Sequence, residues 1–337
     1  MNILITGNNG YIGPVLYKEI KKKIPKSKVF GFDNNYFRIK NFSDKQYSGD
    51  IRNFSKIIFN KKIDIIVHLA SLSNDPIGNK YEKQTKEINI EATKKLIDLS
   101  KRNGCKLFIF ASSCSVYGKY GKKSRTEKSK TQPLTGYARS KIIIENYLKK
   151  KVNKDFKSIC LRFATACGAS PNLRLDLVLN DFVFRALTEK KIKLNSSGNA
   201  WRPLIDVKDM SKAIICSIFN IEKIQNILIV NVGSNNSNFK IIDLAKKVKK
   251  IIKNTTIESK SEINDQRSYK VDFTAYNNFI KNQFKHMTIE QTIYELIKNV
   301  RLIKKSKKNI LFNKYVRLKV LEEKIKIGKL TKNLKWK

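Results

Sequence analysis

Short apolar runs alternate with helix-like segments along the first half of the chain. NILIT at 2–6 and IDIIVHLA at 63–70 are apolar without alternation, which is typical of parallel strands covered on both faces. Helical patterns at 14–23 and 81–102 follow such runs. Because strand–helix–strand units close in one hand and build parallel sheets, we predict an α/β fold with a doubly wound parallel sheet.

The rest of the chain continues this pattern and then loosens after residue 165. We expect further strands at 29–33, 46–50, 106–111, 158–164 and 227–232, and helices at 52–60, 137–151 and 239–252. The predicted division is a first domain at 1–165 to which 205–232 returns, a smaller lobe mainly at 166–303, and a basic extension at 304–337.

The charge is strongly unbalanced. The chain carries 70 Lys and Arg against 28 Asp and Glu, a net charge of +42. Such an excess can indicate a nucleic-acid or membrane partner. However, the lysines occupy the outer faces of most predicted helices, and no arginine-rich stripe with interleaved aromatic residues is present. We therefore interpret the charge as compositional drift that helps to attract anionic substrates, and expect no nucleic-acid partner.

Cysteine usage and hydropathy favour the cytoplasm. The five cysteines, at 105, 114, 160, 167 and 216, have no CxxC spacing, so neither a disulfide framework nor a metal site is expected. The apolar runs are shorter than the roughly 18 residues of a membrane span, and MNILITG has no basic leader typical of a signal peptide. The extension at 304–337 is expected to dock on the protein, with a membrane-surface segment as the alternative.

The turn after the first predicted strand contains three regularly spaced glycines. Gly7, Gly10 and Gly13 lie between a strand and a helix, where a pyrophosphate can approach backbone N–H groups only if side chains are absent. Asp33 ends the second strand, at the place where a carboxylate binds a ribose 2′-hydroxyl. Since this carboxylate would repel a 2′-phosphate, the sequence favours NAD over NADP as cofactor.

YARSK and the end of the fifth strand supply a candidate catalytic group. Tyr137 and Lys141 are four residues apart and therefore share a helix face. A phenol has a pKa of about 10, and a nearby ammonium and the cationic nicotinamide would favour its ionised form. In ASSCSVYG, Ser113 offers a hydroxyl that could hold the substrate oxygen opposite the phenol.

Several motifs occur in an order that resembles a known family. TGNNGYIG, Asp33, GDIR at 49–52, HLAS at 68–71, Asn89, SSCSVYG and YARSK are similar to those of the extended short-chain dehydrogenase/reductase family, and more narrowly to its nucleotide-sugar epimerases and dehydratases. The resemblance covers about residues 1–300. It implies a Rossmann domain that binds NAD, a smaller lobe that binds a nucleoside-diphosphate sugar, a homodimer, and a role in polysaccharide synthesis.

The resemblance also assigns residues. The implied catalytic residues are Ser113, Tyr137 and Lys141. The implied NAD contacts are Gly7, Gly10, Tyr11, Ile12, Gly13, Asp33, Asn34, Asp50, Ile51, Leu69, Ala70, Ser71, Asn89, Tyr137 and Lys141, with Asp50 and Ile51 at the adenine ring and Asn89 supporting the active-site backbone. The implied substrate contacts are Ser113, Asn180, Arg202 and Arg267, with Arg174 a weaker candidate. The other hydroxyls of SSCS are expected to line the nicotinamide site.

The residues that follow Ser113 bear on the reaction. The 4,6-dehydratases of the family carry an Asp–Glu pair there, whereas this chain has Cys114 and Ser115, so dehydration is disfavoured. A Cys–His proton pair is also disfavoured, because neither His68 nor His286 falls where that histidine belongs, and we expect a buried thiol and a structural His68. C4 epimerisation through a 4-keto sugar is the leading hypothesis, with a 4-dehydrogenase or a ketoreductase as alternatives. A catalytically silent NAD- or RNA-binding protein is the alternative of another class.

Overall fold

A parallel sheet forms the centre of the molecule. The computed structural model describes residues 1–38, 40–54, 60–118, 123–259, 267–281, 283–306 and 312–337. Its strands are β1 (Asn2–Thr6), β2 (Lys28–Asp33), β3 (Lys45–Ser48), β4 (Ile65–His68), β5 (Leu107–Ser113), β6 (Lys157–Phe163), β7 (Thr165–Cys167), β8 (Lys191–Leu194), β9 (Trp201–Asp206), β10 (Ile227–Val232), β11 (Asn238–Lys240) and β12 (Thr256–Ser259). Within these ranges, seven strands pair in parallel in the order β10-β6-β5-β4-β1-β2-β3. The predicted doubly wound sheet is confirmed.

Helices cover both faces of this sheet and also contribute to the smaller lobe. They are α1 (Gly13–Lys23), α2 (Asp75–Lys80), α3 (Glu82–Lys86), α4 (Thr93–Arg102), α5 (Gly136–Lys151), α6 (Val178–Thr188), α7 (Val207–Phe219), α8 (Ile241–Ile251), α9 (Thr274–Phe279), α10 (Ile289–Ser306) and α11 (Arg317–Lys326). A π-helical turn at Glu87–Ala92 joins α3 to α4, in place of the uniform helix expected at 81–102. Of the helix expected at 52–60, the structure has a 3₁₀ turn at Ile51–Asn53, and 55–59 lie outside the described residues.

Strands β4 and β5 are buried in the centre of the sheet, as their apolar sequences predict. Every residue of β4 is buried, and so are Leu107 to Phe110 of β5, which fits strands covered by helices on both faces. β1 pairs with β2 on one side and with β4 on the other, so the strand order reverses at β1. In open α/β sheets, ligands bind at the carboxyl ends of the strands beside such a reversal. The glycine turn follows β1 at this point.

A smaller lobe is built from the second half of the chain. Its described strands form a three-stranded sheet, β11-β9-β7, and a pair, β12-β8. Its core joins α6, α8 and α10 through buried residues such as Phe182, Leu244 and Ile293. The chain also returns to the first domain, because β10 pairs with β6 and α7 packs against α1. The exact domain boundaries stay a prediction.

The described part of the C-terminal extension packs on the first domain. Leu321, Leu330 and Leu334 are buried in the core that contains Leu4 of β1. The Arg52 guanidinium donates to the carbonyl oxygen of Leu334 at 2.8 Å. This packing agrees with the docked extension that the sequence favours. Among the helices of the described residues, none combines the length and the apolar character needed to cross a bilayer.

Candidate active site

The glycine turn after β1 is very tightly packed. Gly7 has a φ of 75°, which disfavours other residues, and a Cβ atom there would lie 2.7 Å from the backbone nitrogen of Ala70. A Cβ atom at Gly13 would lie 2.2 Å from the carbonyl oxygen of Asn8. These contacts bring the start of α1 to the crevice, where free N–H groups favour a phosphate. The turn therefore fits a dinucleotide.

Asp33 stands where β2 ends, beside this turn. Its carboxylate accepts hydrogen bonds from the backbone N–H of Asn9 at 3.0 Å and of Asn35 at 2.7 Å. Burial raises the pKa of Asp33, although both bonds oppose that shift. The neighbouring segment opens onto a hollow of about 530 Å³. Its lining residues are Asn34, Asn35, Arg38, Ser48, Gly49 and Trp336.

Asp50 and Ile51, the residues expected at the adenine ring, lie close to the C-terminal extension. Ile51 is buried, and the carboxylate of Asp50 pairs with Arg52. Arg52 in turn holds the carbonyl oxygens of Asn333 and Leu334. The sequence did not indicate that this end of the cofactor crevice would contact the end of the chain.

Asn89 holds the backbone of the segment after β4. The side chain is buried, accepts from the backbone N–H of Leu72 at 2.9 Å and donates to the carbonyl oxygen of Leu72 at 3.1 Å. Leu69 donates its backbone N–H to the carbonyl oxygen of Thr6. Leu69, Ala70 and Ser71 are thus held at the end of β4, beside the glycine turn.

Ser113, Tyr137 and Lys141 come together at the ends of β5 and α5. The Lys141 Nζ atom lies 5.1 Å from the ring centroid of Tyr137 and 4.8 Å from that of Phe110. Burial and the Asp75 carboxylate raise the pKa of Tyr137 to about 12, although Arg174 and a hydrogen bond with Ser113 lower it. Burial lowers the pKa of Lys141 to about 8.

A buried ionic network lies behind this group. The Glu145 carboxylate pairs with the Arg162 guanidinium at 2.6 Å and also accepts from the Ser112 hydroxyl at 2.6 Å. Arg162 donates to the Tyr117 hydroxyl at 3.0 Å. The expectation that Ser112 lines the nicotinamide site is therefore wrong, because its hydroxyl is turned into the interior. The sequence signal for this network was Arg162, a charged residue inside the otherwise apolar strand SICLRFA.

Cys114 and His68 are structural groups, in agreement with the sequence interpretation. Cys114 is fully buried, its Sγ atom donates to the carbonyl oxygen of Arg162 at 3.0 Å, and burial raises the pKa of the thiol. His68 lies between the hydroxyls of Thr6 at 2.7 Å and Thr93 at 2.9 Å, and burial lowers its pKa to about 3. Neither group suits proton transfer near neutral pH.

Two of the residues assigned to the substrate occupy different environments. Asn180 is fully buried, accepts from the backbone N–H of Gly168 at 2.9 Å and donates to the carbonyl oxygen of Arg174 at 2.9 Å. In this conformation, Asn180 holds the backbone of the lobe. Arg202, on β9, lies over the Tyr269 ring, with 5.7 Å between the guanidinium carbon and the ring centroid.

Arg267 and Arg174 are linked to the surroundings of Tyr137. Arg267 pairs with Asp75, whose other carboxylate oxygen accepts from the Thr135 hydroxyl at 2.7 Å. Thr135 caps the helix that carries Tyr137, so Arg267 is connected through Asp75 to the start of that helix. Arg174 is buried and pairs with Asp176 at 2.7 Å. Its charge also lowers the pKa of Tyr137.

A dinucleotide crevice next to a Ser–Tyr–Lys group defines an enzyme of the NAD-dependent redox class. The model of the NAD dependent epimerase/dehydratase family matches residues 3–233, and the chain belongs to this family. The resemblance inferred from the motifs is thereby confirmed, and NAD is the cofactor.

Similar proteins carry out more than one reaction. The chain is 26% identical over 273 residues to a UDP-glucose 4-epimerase of Lactobacillus helveticus, covering 74% of this chain and 82% of that one. It is 25% identical over 273 residues to a dTDP-D-glucose 4,6-dehydratase of Mus musculus, covering 77% and 75%. The structure of MoeE5 in complex with UDP-glucose and NAD has a TM-score of 0.78 at 22% identity, covering 90% of this chain and 100% of MoeE5. At that identity, the similarity shows the fold alone.

Proposed function

We propose that this enzyme epimerises a nucleoside-diphosphate sugar at C4 through a transient 4-keto sugar. The observation that carries the proposal is that Ser113, Tyr137 and Lys141 lie together beside the cofactor crevice. Ser113 is followed in the chain by Cys114 and Ser115. Epimerisation needs this group and room for the ketosugar to turn. Dehydration needs further acid and base groups, and the buried thiol of Cys114 is unsuited to that work.

The glycine turn and the end of β2 would hold NAD, which would supply the means of removing a hydride from the sugar carbon and of giving it back. Tyr137 takes the proton from the 4-hydroxyl as the hydride leaves, and gives a proton back when the carbonyl is reduced. Ser113 donates its hydroxyl hydrogen bond to the same sugar oxygen. Lys141 favours the ionised phenol through its charge. The glycine turn supplies backbone N–H groups to the pyrophosphate, since Gly7 and Gly13 leave no Cβ in the way.

The charge balance at Tyr137 explains why the bound cofactor matters to the base. Without it, burial and the Asp75 carboxylate hold the pKa of the phenol at about 12, so the group is protonated at neutral pH. A positive charge close to the ring lowers that pKa. Oxidised NAD carries such a charge and would therefore favour the ionised form of Tyr137.

The smaller lobe would hold the substrate. We assign Arg202 and Arg267 to the diphosphate, because guanidinium groups bind phosphate oxygens in pairs. Arg267 would then exchange its partner Asp75 for the substrate. Asn180 would act through the backbone of Gly168 and Arg174 rather than by direct contact. The cytoplasmic location and the homodimer stay predictions.

The test is a panel of UDP-, GDP-, CDP- and dTDP-sugars given to the protein with NAD. Absorbance at 340 nm reports reduced cofactor, and NMR identifies each sugar. We expect a sugar inverted at C4 with no net reduced cofactor. Accumulation of reduced cofactor with a ketosugar would replace the proposal by a 4-dehydrogenase. A 4-keto-6-deoxy product would replace it by a dehydratase.

A further inference from the structure

Arg317 is a buried cation of the C-terminal extension that packs against the segment after β2. It is the first residue of α11 and only 6% exposed. Its guanidinium carbon lies 4.1 Å from the ring centroid of Phe37, in the segment after β2. Its Nη2 atom donates to the carbonyl oxygen of Asn172 at 3.3 Å.

Asn172 connects this guanidinium to the glycine turn. The Asn172 side chain donates to the carbonyl oxygen of Asn9 at 2.5 Å and to that of Phe37 at 2.8 Å. The charge of Arg317 also acts on the carboxylate of Asp33 and on the hydroxyl of Tyr11. Arg317 is therefore connected through Asn172 to the backbone of the glycine turn, and its charge acts on Asp33 at the end of β2 and on Tyr11.

The charge of Arg317 is poorly compensated by the protein. Among the described residues, its guanidinium has one hydrogen-bond acceptor, a weak one at 3.3 Å. The charge of Arg174 opposes that of Arg317, and of the two carboxylates that favour it, Asp176 and Asp33, the first is already paired with Arg174 at 2.7 Å. Burial and this repulsion lower the pKa of Arg317 to about 9. A buried cation in such surroundings is costly unless an anion joins it.

We propose that Arg317 binds the pyrophosphate of NAD, which makes the C-terminal extension a part of the cofactor site. The inference rests on NAD as the cofactor and not on the reaction at the sugar. The segment that carries Arg317 is held in place by Arg52 at the carbonyl oxygens of Asn333 and Leu334. NADP should bind less well than NAD, because the Asp33 carboxylate would repel its 2′-phosphate.

The matched variants are Arg317→Met and Lys319→Met. Both remove one positive charge from α11, but Lys319 is solvent-exposed and paired with Glu322 at 3.1 Å. Dissociation constants are measured by calorimetry on protein freed of nucleotide. Arg317→Met should weaken NAD roughly 10- to 100-fold, as expected for lost hydrogen bonds to a charged group. Lys319→Met should change it less than about twofold. Equal effects of the two variants would overturn the proposal.

Fragments of the cofactor locate the contact. ADP-ribose, which keeps the pyrophosphate, should lose the same factor as NAD in Arg317→Met, whereas adenosine should bind the variant and the wild type alike. A loss for adenosine as large as that for ADP-ribose would overturn the assignment to the pyrophosphate. So would a loss seen with NADP and not with NAD, since it would place Arg317 at the 2′-phosphate.

Melting temperature separates this role from a structural one. Because the charge of Arg317 is poorly compensated without nucleotide, Arg317→Met should not lower the melting temperature of the nucleotide-free protein, but should reduce the rise that NAD produces. A lower melting temperature with an unchanged rise would show a structural residue.

If Arg317→Met does not fold, Arg317→Lys serves instead. It keeps the charge and loses the fork, so its NAD affinity should lie between those of the wild type and the range expected for Met. Wild-type affinity in Arg317→Lys would overturn the forked contact.

Discussion

The ammonium of Lys141 lies 5.1 Å from the ring centroid of Tyr137, and one helix carries both. The spacing of four residues sets this geometry, because such residues share a helix face. Burial shifts the pKa values of both groups: it raises the pKa of Tyr137 to about 12 and lowers that of Lys141 to about 8. Both shifts oppose ionisation, so a further positive charge near the phenol would favour its ionised form.

Tyr137→Phe should lower turnover at least a hundredfold, because a general base contributes about that much. The fold should be unaffected, since the ring stays. Tyr147→Phe is the control: it removes a hydroxyl from the same helix, one that donates to Asp98 at 2.7 Å, away from the crevice. Rates are measured with the sugar identified by the panel. Near-normal turnover in Tyr137→Phe would remove the phenol from the mechanism.

Cys114→Ala should leave turnover within about threefold of wild type. The thiol is buried, donates to the carbonyl oxygen of Arg162, and has a raised pKa, so it cannot exchange protons with a sugar. The expected cost is roughly 1–2 kcal/mol of unfolding free energy, from the small cavity. Denaturant titration and kinetics on one preparation check both. A hundredfold loss of turnover with unchanged stability would instead mark Cys114 as an acid or base.

Glu145→Ala should cost about 3–5 kcal/mol of unfolding free energy, because it leaves Arg162 buried without its carboxylate. The control is Glu222→Ala. Glu222 is almost fully exposed and 3.5 Å from Lys157, so its loss should cost less than about 1 kcal/mol. Chemical denaturation measures both. Similar values for the two variants would mean that the Glu145–Arg162 pair contributes no more than a surface pair.

The sequence predicted the sheet well because burial of parallel strands leaves a direct trace. β4 and β5 carry apolar residues without alternation, and the structure buries them as expected. The glycine turn was equally readable, because Gly7 and Gly13 meet backbone atoms that no side chain could clear. Local rules of this kind depend on few neighbours.

Long-range pairs were not readable in the same way. Nothing in the spacing says that Glu145 meets Arg162 or that Ser112 turns inward to join them. The role of the chain's end was also hidden: the lysine-rich pattern predicted docking, but not that Arg317 would reach the glycine turn through Asn172. Such contacts depend on how distant elements pack, which periodicity does not encode.

His68 should make the protein sensitive to acid. Burial lowers its folded-state pKa to about 3, against about 6.5 unfolded, so below pH 6.5 the unfolded chain binds a proton that the folded protein refuses. The contribution of neutral His68 to the unfolding free energy is therefore complete above pH 6.5 and is lost as the pH falls toward 3. Between pH 7 and pH 4 the loss from this group is about 3 kcal/mol.

His68→Gln isolates the effect. The amide has no such titration and can still bond one of the two threonine hydroxyls that flank the ring, so the variant should be less stable at pH 7 but lose less on acidification. Unfolding free energies of both proteins are measured at pH 7, 5.5 and 4. The difference in unfolding free energy between the wild type and His68→Gln should narrow steadily as the pH falls. Parallel pH curves for the two proteins would show that His68 accepts its proton in the folded state.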